Sequence, residues 1–402
     1  MAQTVSELDF TDKALDIRWE GVSEDFWGDL KAQTRLALKR LLETTMAIEL
    51  QDLLGARRWA HSSTRRGLRN GTYRRTLLTG FGWIPDLNVP RVREGRVSFR
   101  CLGRYHRRSP DVDRALIKTF LGGVGKRNVQ EVLEPLLGPS AASASTVSRL
   151  TKVLDDDVRR FHNRPLLDQY LYLILDGVSL KAKSPLSVKR RCVLVAHGIR
   201  TDGVRELIDF RLANHGESQA AWEVFLSQLK NRGLDGRALR LAVVDGNKGL
   251  WNALDLVWPG LPRQRGWANK LRNVANHIPK RFQQIALSQA RTIYDADSKN
   301  KAIHAFRLWK HDWRLIAPQA VQCLEEDLES LLTVYDHAPG GLWKKLRTTN
   351  AIERCFREVR RRTRPMSCFQ NTASVERILF ALFYRMNRLW ESKPLSQITQ
   401  KS

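Results

Sequence analysis

The sequence predicts a mixed α/β fold in which one β-rich block lies between long helical segments. The β-rich block follows Pro165 and holds three strand-like runs, one amphipathic helix and one apolar strand: residues 170–176, 191–197, 204–212, 217–232 and 239–245. On both sides of this block, apolar residues recur every three to four positions, which is typical of helices. This spacing is clearest in the stripe Val321, Leu324, Leu328, Leu331 and Leu332.

The order of these elements decides which strands are neighbours. A turn at residues 201–203 joins the second and third runs, so we expect the first three runs to form an antiparallel meander. The helix that follows has an apolar face that includes Trp222, and it ends at Gly233. Residues 239–245 are almost wholly apolar, as expected of a strand buried on both faces. The order β-β-β-α-β is that of an RNase H-like fold, whose first and fourth strands lie side by side.

The composition indicates a nucleic-acid-binding protein with room for two or three domains. A net charge of +26 and a pI near 10.4 over 402 residues call for a polyanionic partner. No apolar run approaches the roughly 18 to 20 residues that span a bilayer, and no secretory signal is visible, so we expect a cytoplasmic protein with no membrane partner. A reducing compartment also suits the five cysteines, which form no CxxC pair: Cys101, Cys192, Cys323, Cys355 and Cys368.

Changes in composition and periodicity divide the chain into six predicted regions. The first three are a helical N-terminal segment (1–54), an arginine-rich DNA-binding region with short strands (55–110) and a helix-turn-helix-like DNA-binding region (111–164). The last three are the first part of the RNase H-like catalytic core (165–272), an all-helical insertion (273–345) and the C-terminal helices of the core (346–402). We therefore expect a basic, mainly helical N-terminal region to bind DNA ahead of the core.

Residues 55–108 carry fourteen arginines, no lysine and only two acids. Within this stretch, residues 87–93 and 97–99 are expected to form short strands joined by a turn at residues 94–95. So dense a positive charge needs a counter-charge, which DNA phosphates provide. The candidate DNA contacts here are Arg69, Arg74, Arg75, Arg91 and Arg93.

A pair of helices is predicted next, one over residues 127–137 and one from about Ser143. Val147 would face inward, whereas Arg149 and Lys152 would face outward, as in a helix that enters a DNA groove. The connection is longer than the usual three or four residues of a helix-turn-helix, so an ordinary helical hairpin fits the pattern equally well.

Two aspartates occupy the same local position, at the carboxyl end of an apolar strand and directly before a glycine. These are Asp176 and Asp245. Either residue alone is most often a turn residue. On adjacent buried strands, however, the two carboxylates would repel each other unless a cation lay between them, and hard oxygen ligands favour Mg²⁺ or Mn²⁺ over zinc.

A third acid is expected from the helical stretch 349–362, which offers Glu353 and, five residues later, Glu358. Residues 344–364 carry nine basic residues, so Arg354, Arg357 and Arg361 are candidate phosphate contacts beside that acid. Three carboxylates that held two metal ions about 3.5 to 4 Å apart would suit in-line displacement at phosphorus. The acids at 155–157 are set aside, because three adjacent residues on a helix exterior cannot share one face.

Several blocks of the chain, taken in order, resemble the Mutator-type transposases of bacterial insertion sequences: residues 69–73, 89–93, 145–150, 176–177, 244–250 and 346–354. The resemblance implies a DNA transposase that acts as a homodimer on two kinds of DNA, the terminal inverted repeats and the target. It also implies a bacterial cytoplasmic protein that is associated with the nucleoid when DNA is bound. It implies a DDE triad of catalytic, metal-binding residues, here Asp176, Asp245 and Glu353, on an RNase H-like core with a helical insertion. The choice of Glu353 over Glu358 depends on this resemblance.

The chain departs from the family pattern in one place. The family commonly carries a Cys-x-x-His motif after the fourth strand, and Gly266 and Asn269 stand at those positions here. Any role of that cysteine and histidine is therefore absent, whereas the triad is intact.

Two other functions compete with this interpretation. A tyrosine recombinase needs an HxxR motif and no metal, and both 304–307 and 311–314 match HxxR, which an arginine-rich helix produces easily. A DNA-binding regulator without catalytic activity would use the arginines alone. Strand cleavage that depends on the three acids distinguishes the transposase from both.

Overall fold

The computed structural model describes residues 26–61, 63–103, 106–122, 124, 128–139, 141–183, 188–213, 216–363 and 372–399. These residues form two compact units, Met1–Leu150 and Thr151–Ser402. Each unit has its own core and is described by itself. Among the described residues, no helix combines the length and the apolar character that crossing a membrane requires.

The first unit combines a long helix, a β-hairpin and three shorter helices. In chain order they are α1 (Phe26–Leu54), β1 (Arg69–Thr79), β2 (Gly82–Val92), α2 (Pro110–Leu121), α3 (Val129–Leu137) and α4 (Ala144–Thr151). β1 and β2 pair antiparallel, with Tyr73 opposite Val89. One face of the hairpin packs on α1 around Met46 and Leu50, which are 0% and 2% exposed. The core thus lies between helix and hairpin.

The hairpin differs from the one that the sequence predicts. Residues 87–92 do form a strand, but its partner is β1, and residues 97–99 form no strand. Most residues from Arg69 to Thr76 are exposed, so this part of β1 lacks the alternation of apolar and polar residues that predicts a strand. Buried apolar residues begin only at Leu77 and Leu78. Phe99 is instead buried in the core beside α1. The apolar Phe99 is therefore explained by the packing of an irregular segment against the core, and not by a strand.

The two helices predicted around residues 127–151 are confirmed as α3 and α4, with residues 138–143 between them. Gly138 has a φ of 83°, a left-handed conformation that favours glycine at a helix end. Val147 is buried, and Arg149 and Lys152 are exposed, as expected. Lys152 lies just beyond the end of α4. Whether this pair binds DNA remains a prediction.

The second unit contains a five-stranded mixed sheet and the remaining helices. Its first elements are α5 (Leu154–Asn163), β3 (Tyr170–Lys183), β4 (Val188–Arg200), β5 (Arg205–Ala213), α6 (Gln219–Asn231), β6 (Leu241–Val244), α7 (Lys248–Val257) and β7 (Arg263–Arg265). The sheet order is β5-β4-β3-β6-β7. β3 pairs antiparallel with β4 and parallel with β6. The predicted meander, helix and fourth strand are confirmed, and so is the adjacency of the first and fourth strands.

Helices cover both faces of the sheet because its central strands are apolar on both sides. α6 and α7 pack on one face, where Leu173, Leu175 and Val244 are fully buried. The predicted face of α6 is confirmed, and Trp222 is 0% exposed. The other face meets α5 and the two last long helices, α15 (Asn350–Thr363) and α16 (Thr372–Glu391). Since side chains alternate along a strand, Ile174 and Asp176 point to the α15 side.

The stretch between the sheet and α15 is helical, as expected. It comprises α8 (Trp267–Asn276), α9 (Lys280–Asp295), α10 (Lys299–Trp313), α11 (Pro318–Glu325), α12 (Leu328–Leu332), α13 (Val334–His337), a 3₁₀ turn (Gly340–Leu342) and α14 (Trp343–Leu346). These helices share a core that includes Trp309, Leu324 and Leu331. A short helix, α17 (Ser396–Thr399), follows α16. The predicted region boundaries stay predictions.

Candidate active site

The three acids singled out from the sequence line one cavity of about 450 Å³ in the second unit. Asp176 comes from β3, Asp245 directly follows β6, and Glu353 lies in the first turn of α15. The expectation that Asp176 ends its strand was wrong, because pairing with β4 continues β3 to Lys183; only β6 ends directly before its aspartate. The parallel pairing of Ile174 with Val243, each two residues before its aspartate, still brings the two aspartates together. The competing acid Glu358 lines a different cavity, on another side of α15. The fold therefore groups Glu353, and not Glu358, with the aspartates.

Asp176 is the most buried of the three acids, with 8% of its surface exposed. Burial, together with the charges of Asp245 and Glu217, raises the pKa of its carboxyl to about 7. A hydrogen bond with the side chain of Thr349, which lies just before α15, opposes this rise in pKa. Ionisation of the Asp176 carboxyl therefore costs free energy in the folded protein unless a cation is bound beside it.

Asp245 is fixed by the turn that connects β6 to α7. Its Oδ1 accepts a hydrogen bond from the backbone N–H of Asn247 at 2.9 Å, and its backbone carbonyl accepts one from the Trp251 indole, also at 2.9 Å. Asn247 in turn caps α7, because its side chain accepts the N–H of Leu250 at 3.2 Å. The carboxylate is positioned by local structure and still reaches the cavity.

A fourth acid, Glu217, lies beside this pair and was missed by the sequence analysis. It precedes Ser218, the N-cap of α6. A Cβ added to Gly177 would lie 2.5 Å from the carboxyl carbon of Glu217, so the glutamate packs directly on the residue after Asp176. The Trp222 indole donates to its Oε1 at 3.1 Å, and burial raises the pKa of Glu217. An acid before a helix N-cap is common, so only the fold reveals this contact.

The same cavity has a cationic lining that the sequence analysis also missed. It is formed by Arg265, Arg272 and Arg360, together with the amides Asn269 and Asn273. Arg360 lies seven residues, or two turns, after Glu353 on α15, so helical spacing was the signal that could have revealed it. Carboxylates and guanidinium groups thus face one space, which suits a ligand that carries both metal ions and phosphates.

The two residues that replace the Cys-x-x-His motif lie at this cavity. The backbone N–H of Gly266 donates to the carbonyl of Val244 at 2.8 Å and so continues the pairing of β6 with β7. Asn269 lines the cavity, and its Oδ1 accepts a hydrogen bond from Arg272 at 3.1 Å. Asn269 therefore holds an arginine in place.

In the part of the chain that the structure describes, no group of three His, Cys, Asp or Glu side chains is placed to hold one metal ion. The acids share a cavity without converging on one point. The run 155–157 lies elsewhere. Asp155 pairs through both carboxylate oxygens with Arg377, at 2.5 and 2.7 Å, and its side chain is 42% exposed on the outside of α5. Its neighbours Asp156 and Asp157 pair with arginines on the surface.

The predicted DNA contacts of the first unit differ in exposure. Arg74, Arg91 and Arg93 are exposed, whereas Arg69 and Arg75 are half-buried and donate to the backbone carbonyls of their own unit. Arg75 and Arg91 line a cavity of about 720 Å³. In the second unit all four predicted contacts are exposed: Lys152, Arg354, Arg357 and Arg361. The HxxR residues of α10 are exposed as well, away from the acids: His304, Arg307, His311 and Arg314.

The raised pKa of Asp176 predicts that metal-free stability falls with rising pH. Between pH 4 and pH 7 the folded carboxyl keeps a proton that the unfolded chain has lost, so folding becomes less favourable as pH rises through this range. Replacing Asp176 by Asn removes the charge. In EDTA we expect Asp176→Asn to unfold at a higher temperature than the wild type at pH 8.5, by the equivalent of about 4 kcal/mol, and to gain less than half of that at pH 5.

The control for this measurement is Asp235→Asn, because the Asp235 side chain is 48% exposed. Its melting temperature should follow the wild type at both pH values. An equal gain for Asp176→Asn at pH 5 and pH 8.5 would contradict the assignment.

Comparison with known proteins gives one family. Residues 19–393 match the family model described as "Transposase, Mutator family". The transposase for insertion sequence element ISRM5 of Rhizobium meliloti is 33% identical over 89% of this chain and 88% of its own length. The transposase for IS256 in transposon Tn4001 of Staphylococcus aureus is 30% identical over 88% of this chain and 90% of its own.

The solved structures that match this chain include the Drosophila P element transposase strand transfer complex. Its chain is 12% identical to this one, with a TM-score of 0.30 over 76% of this chain and 85% of the other. A likeness of this strength carries no structural argument.

Proposed function

Because this chain belongs to the Mutator family of transposases, we propose that it cuts and rejoins DNA at the terminal inverted repeats of an insertion sequence through Asp176, Asp245 and Glu353. The observation that carries the proposal is the shared cavity: three acids from distant parts of the sequence line it together with three arginines. A DNA-binding regulator would have no need for buried, mutually repelling carboxylates.

The proposed catalytic core is RNase H-like. Its support is the strand order, with an antiparallel meander whose first strand pairs parallel to the strand after α6. Asp176 lies on the first strand and Asp245 directly follows the strand parallel to it, so the two carboxylates come from adjacent strands. The helices between β7 and α15 would be the insertion that carries the chain from the second aspartate to Glu353.

The oxygen donors of the acids suit Mg²⁺ or Mn²⁺, although no three of the described acids are placed around one point. Asp176 is buried, its pKa is raised to about 7, and the nearby charges that contribute are those of Asp245, Glu217 and Glu353. Hard divalent cations prefer carboxylate oxygen and would relieve this repulsion. Asp176, Asp245 and Glu353 would hold two ions. Bound there, the ions would supply an activated water or 3′ hydroxyl and stabilise the leaving oxygen.

The side chains of this chain have their own tasks in the proposal. Arg272 and Arg360 would bind non-bridging phosphate oxygens of the strand to be cut, since a guanidinium matches phosphate geometry. Thr349 would orient Asp176 through its hydrogen bond. Arg265 is held by an ion pair with Asp327 at 2.6 Å. Its guanidinium would line the cavity next to Gly246, so close that a side chain at position 246 would clash with it.

The proposed partners are the DNA of both transposon ends and of the target, bound by a homodimer. The net charge of +26 supports a DNA partner, because each phosphate neutralised by a basic residue releases counterions. Two ends must be processed together, which favours two copies of the chain.

The test is strand cleavage and strand transfer on duplex DNA that carries the terminal inverted repeats of the element. We expect 3′ hydroxyl ends and transfer products in the presence of Mg²⁺ or Mn²⁺, and neither in EDTA. A covalent protein–DNA adduct formed in EDTA would point instead to a recombinase that uses a tyrosine nucleophile.

A further inference from the structure

A second cavity, of about 560 Å³, lies on another side of α15 from the acids. We call it the basic cavity. Its cations come from β5, from the segment before α15 and from the last two long helices: Arg205, Lys344, Lys345, Arg354, Arg361 and Arg385. The acid Glu358 also lines it, and that glutamate is paired with Arg361 at 3.2 Å. The space is therefore strongly positive and suits an anionic ligand.

The floor of the basic cavity is apolar and aromatic. Ile174, Met386, Leu389 and Trp390 contribute to it. The guanidinium of Arg205 lies over the Trp390 ring, 5.2 Å from its centroid. A phosphate alone would bind the cations and make no contact with the apolar floor. A planar, apolar group with an attached anion would contact both the cations and the floor.

The basic cavity also contains a buried imidazole without a polar partner. His197 is 1% exposed, and neither of its ring nitrogens has a hydrogen-bond partner. Its ring meets the edge of Trp390 at 5.4 Å and 87°. Burial lowers the pKa of His197 to about 3, so the ring is neutral and offers one donor and one acceptor. Buried polar groups are almost always paired, so this histidine points to a ligand with polar edges.

We propose that the basic cavity binds one nucleotide of the DNA strand that enters the acidic cavity, with its phosphate on Arg354 and Arg385, its base against Trp390, and the polar edge of that base toward His197. This inference rests on the proposed function. α15 links the two cavities, because Glu353 faces one and the adjacent Arg354 faces the other. A strand that passes over α15 therefore meets both sites.

The experiment is photocrosslinking in EDTA, with the full chain and a single-stranded probe of about 15 nucleotides that contains 5-iodouracil. This base forms adducts with aromatic rings in contact with it. We expect an adduct on the tryptic peptide Leu389–Lys401, which contains Trp390 and no internal cleavage site, because Pro394 follows Lys393. Arg385→Gln should lower the yield of the Trp390 adduct about fivefold or more. Arg388→Gln, also exposed on α16 but outside the cavity, should leave that yield unchanged, on a tryptic peptide that then begins at Met386.

Adducts found only on other peptides would overturn the proposal, as would equal yields from Arg385→Gln and Arg388→Gln. If Arg385→Gln lowers the melting temperature of the protein, the same crosslinking measurement is made with Arg354→Gln on α15. Protection by micromolar free thymidine monophosphate would identify a free nucleotide as the occupant and overturn the assignment to DNA. Asp176→Asn should form the adduct normally, so a failed triad and a failed nucleotide site give different results.

Discussion

Asp176→Asn, Asp245→Asn and Glu353→Gln are each expected to lower strand cleavage and strand transfer by at least about 10²- to 10³-fold in Mg²⁺. Each change keeps the size of the side chain and removes one charge from the set that would hold the metal ions. Binding to the terminal repeats should stay within about twofold of the wild type, because the exposed arginines are unchanged. Product gels and a mobility shift on the same DNA measure both quantities.

The matched control for the triad is Asp156→Asn. Asp156 is a surface aspartate whose side chain is 71% exposed, and it pairs with Arg159. Its activity should equal that of the wild type. Full cleavage by all three triad variants, with normal binding, would refute the proposed mechanism. Loss of binding together with cleavage would instead indicate that the acids support the fold.

Asp209→Ala is expected to destabilise the second unit by about 3–5 kcal/mol, the usual cost of leaving one partner of a buried ion pair alone. Asp209 is 4% exposed. One carboxylate oxygen lies 2.6 Å from Nδ1 of His162 and accepts the N–H of Phe210 at 2.8 Å, and the other accepts from Arg232. Without this carboxylate the side chain of Arg232, 12% exposed, loses its counter-charge.

Thermal unfolding measures this effect. A change of that size in a unit of this length should lower the melting temperature by roughly 6–20 °C. Asp156→Ala breaks a pair whose two side chains are 75% and 71% exposed, so it should cost under about 1 kcal/mol. Equal melting temperatures for the two alanine variants would show that the Asp209 network contributes nothing beyond a surface pair.

Local patterns were sufficient to predict four of the five strands of the sheet, whereas the three-residue strand β7 was not predicted. The strands that carry Asp176 and Asp245 were predicted because their residues are apolar on both faces, and the pairing of Ile174 with Val243 agrees with the predicted adjacency. The hairpin of the first unit was mispredicted for the opposite reason. β1 is mostly exposed, so its sequence lacks the alternation that burial imposes, and its strand character comes from pairing with β2.

By itself, then, the sequence determined most elements of the second unit, the two aspartates that follow apolar runs and the positive charge, since these depend on periodicity and composition. It left Glu353 and Glu358 equal on local grounds. Only the tertiary structure placed Glu353 in the cavity of the aspartates and Glu358 in the basic cavity. It alone brought Glu217 against Gly177, and Trp390 beside His197. The physical reason is that these contacts join side chains far apart in the chain, which local periodicity does not encode.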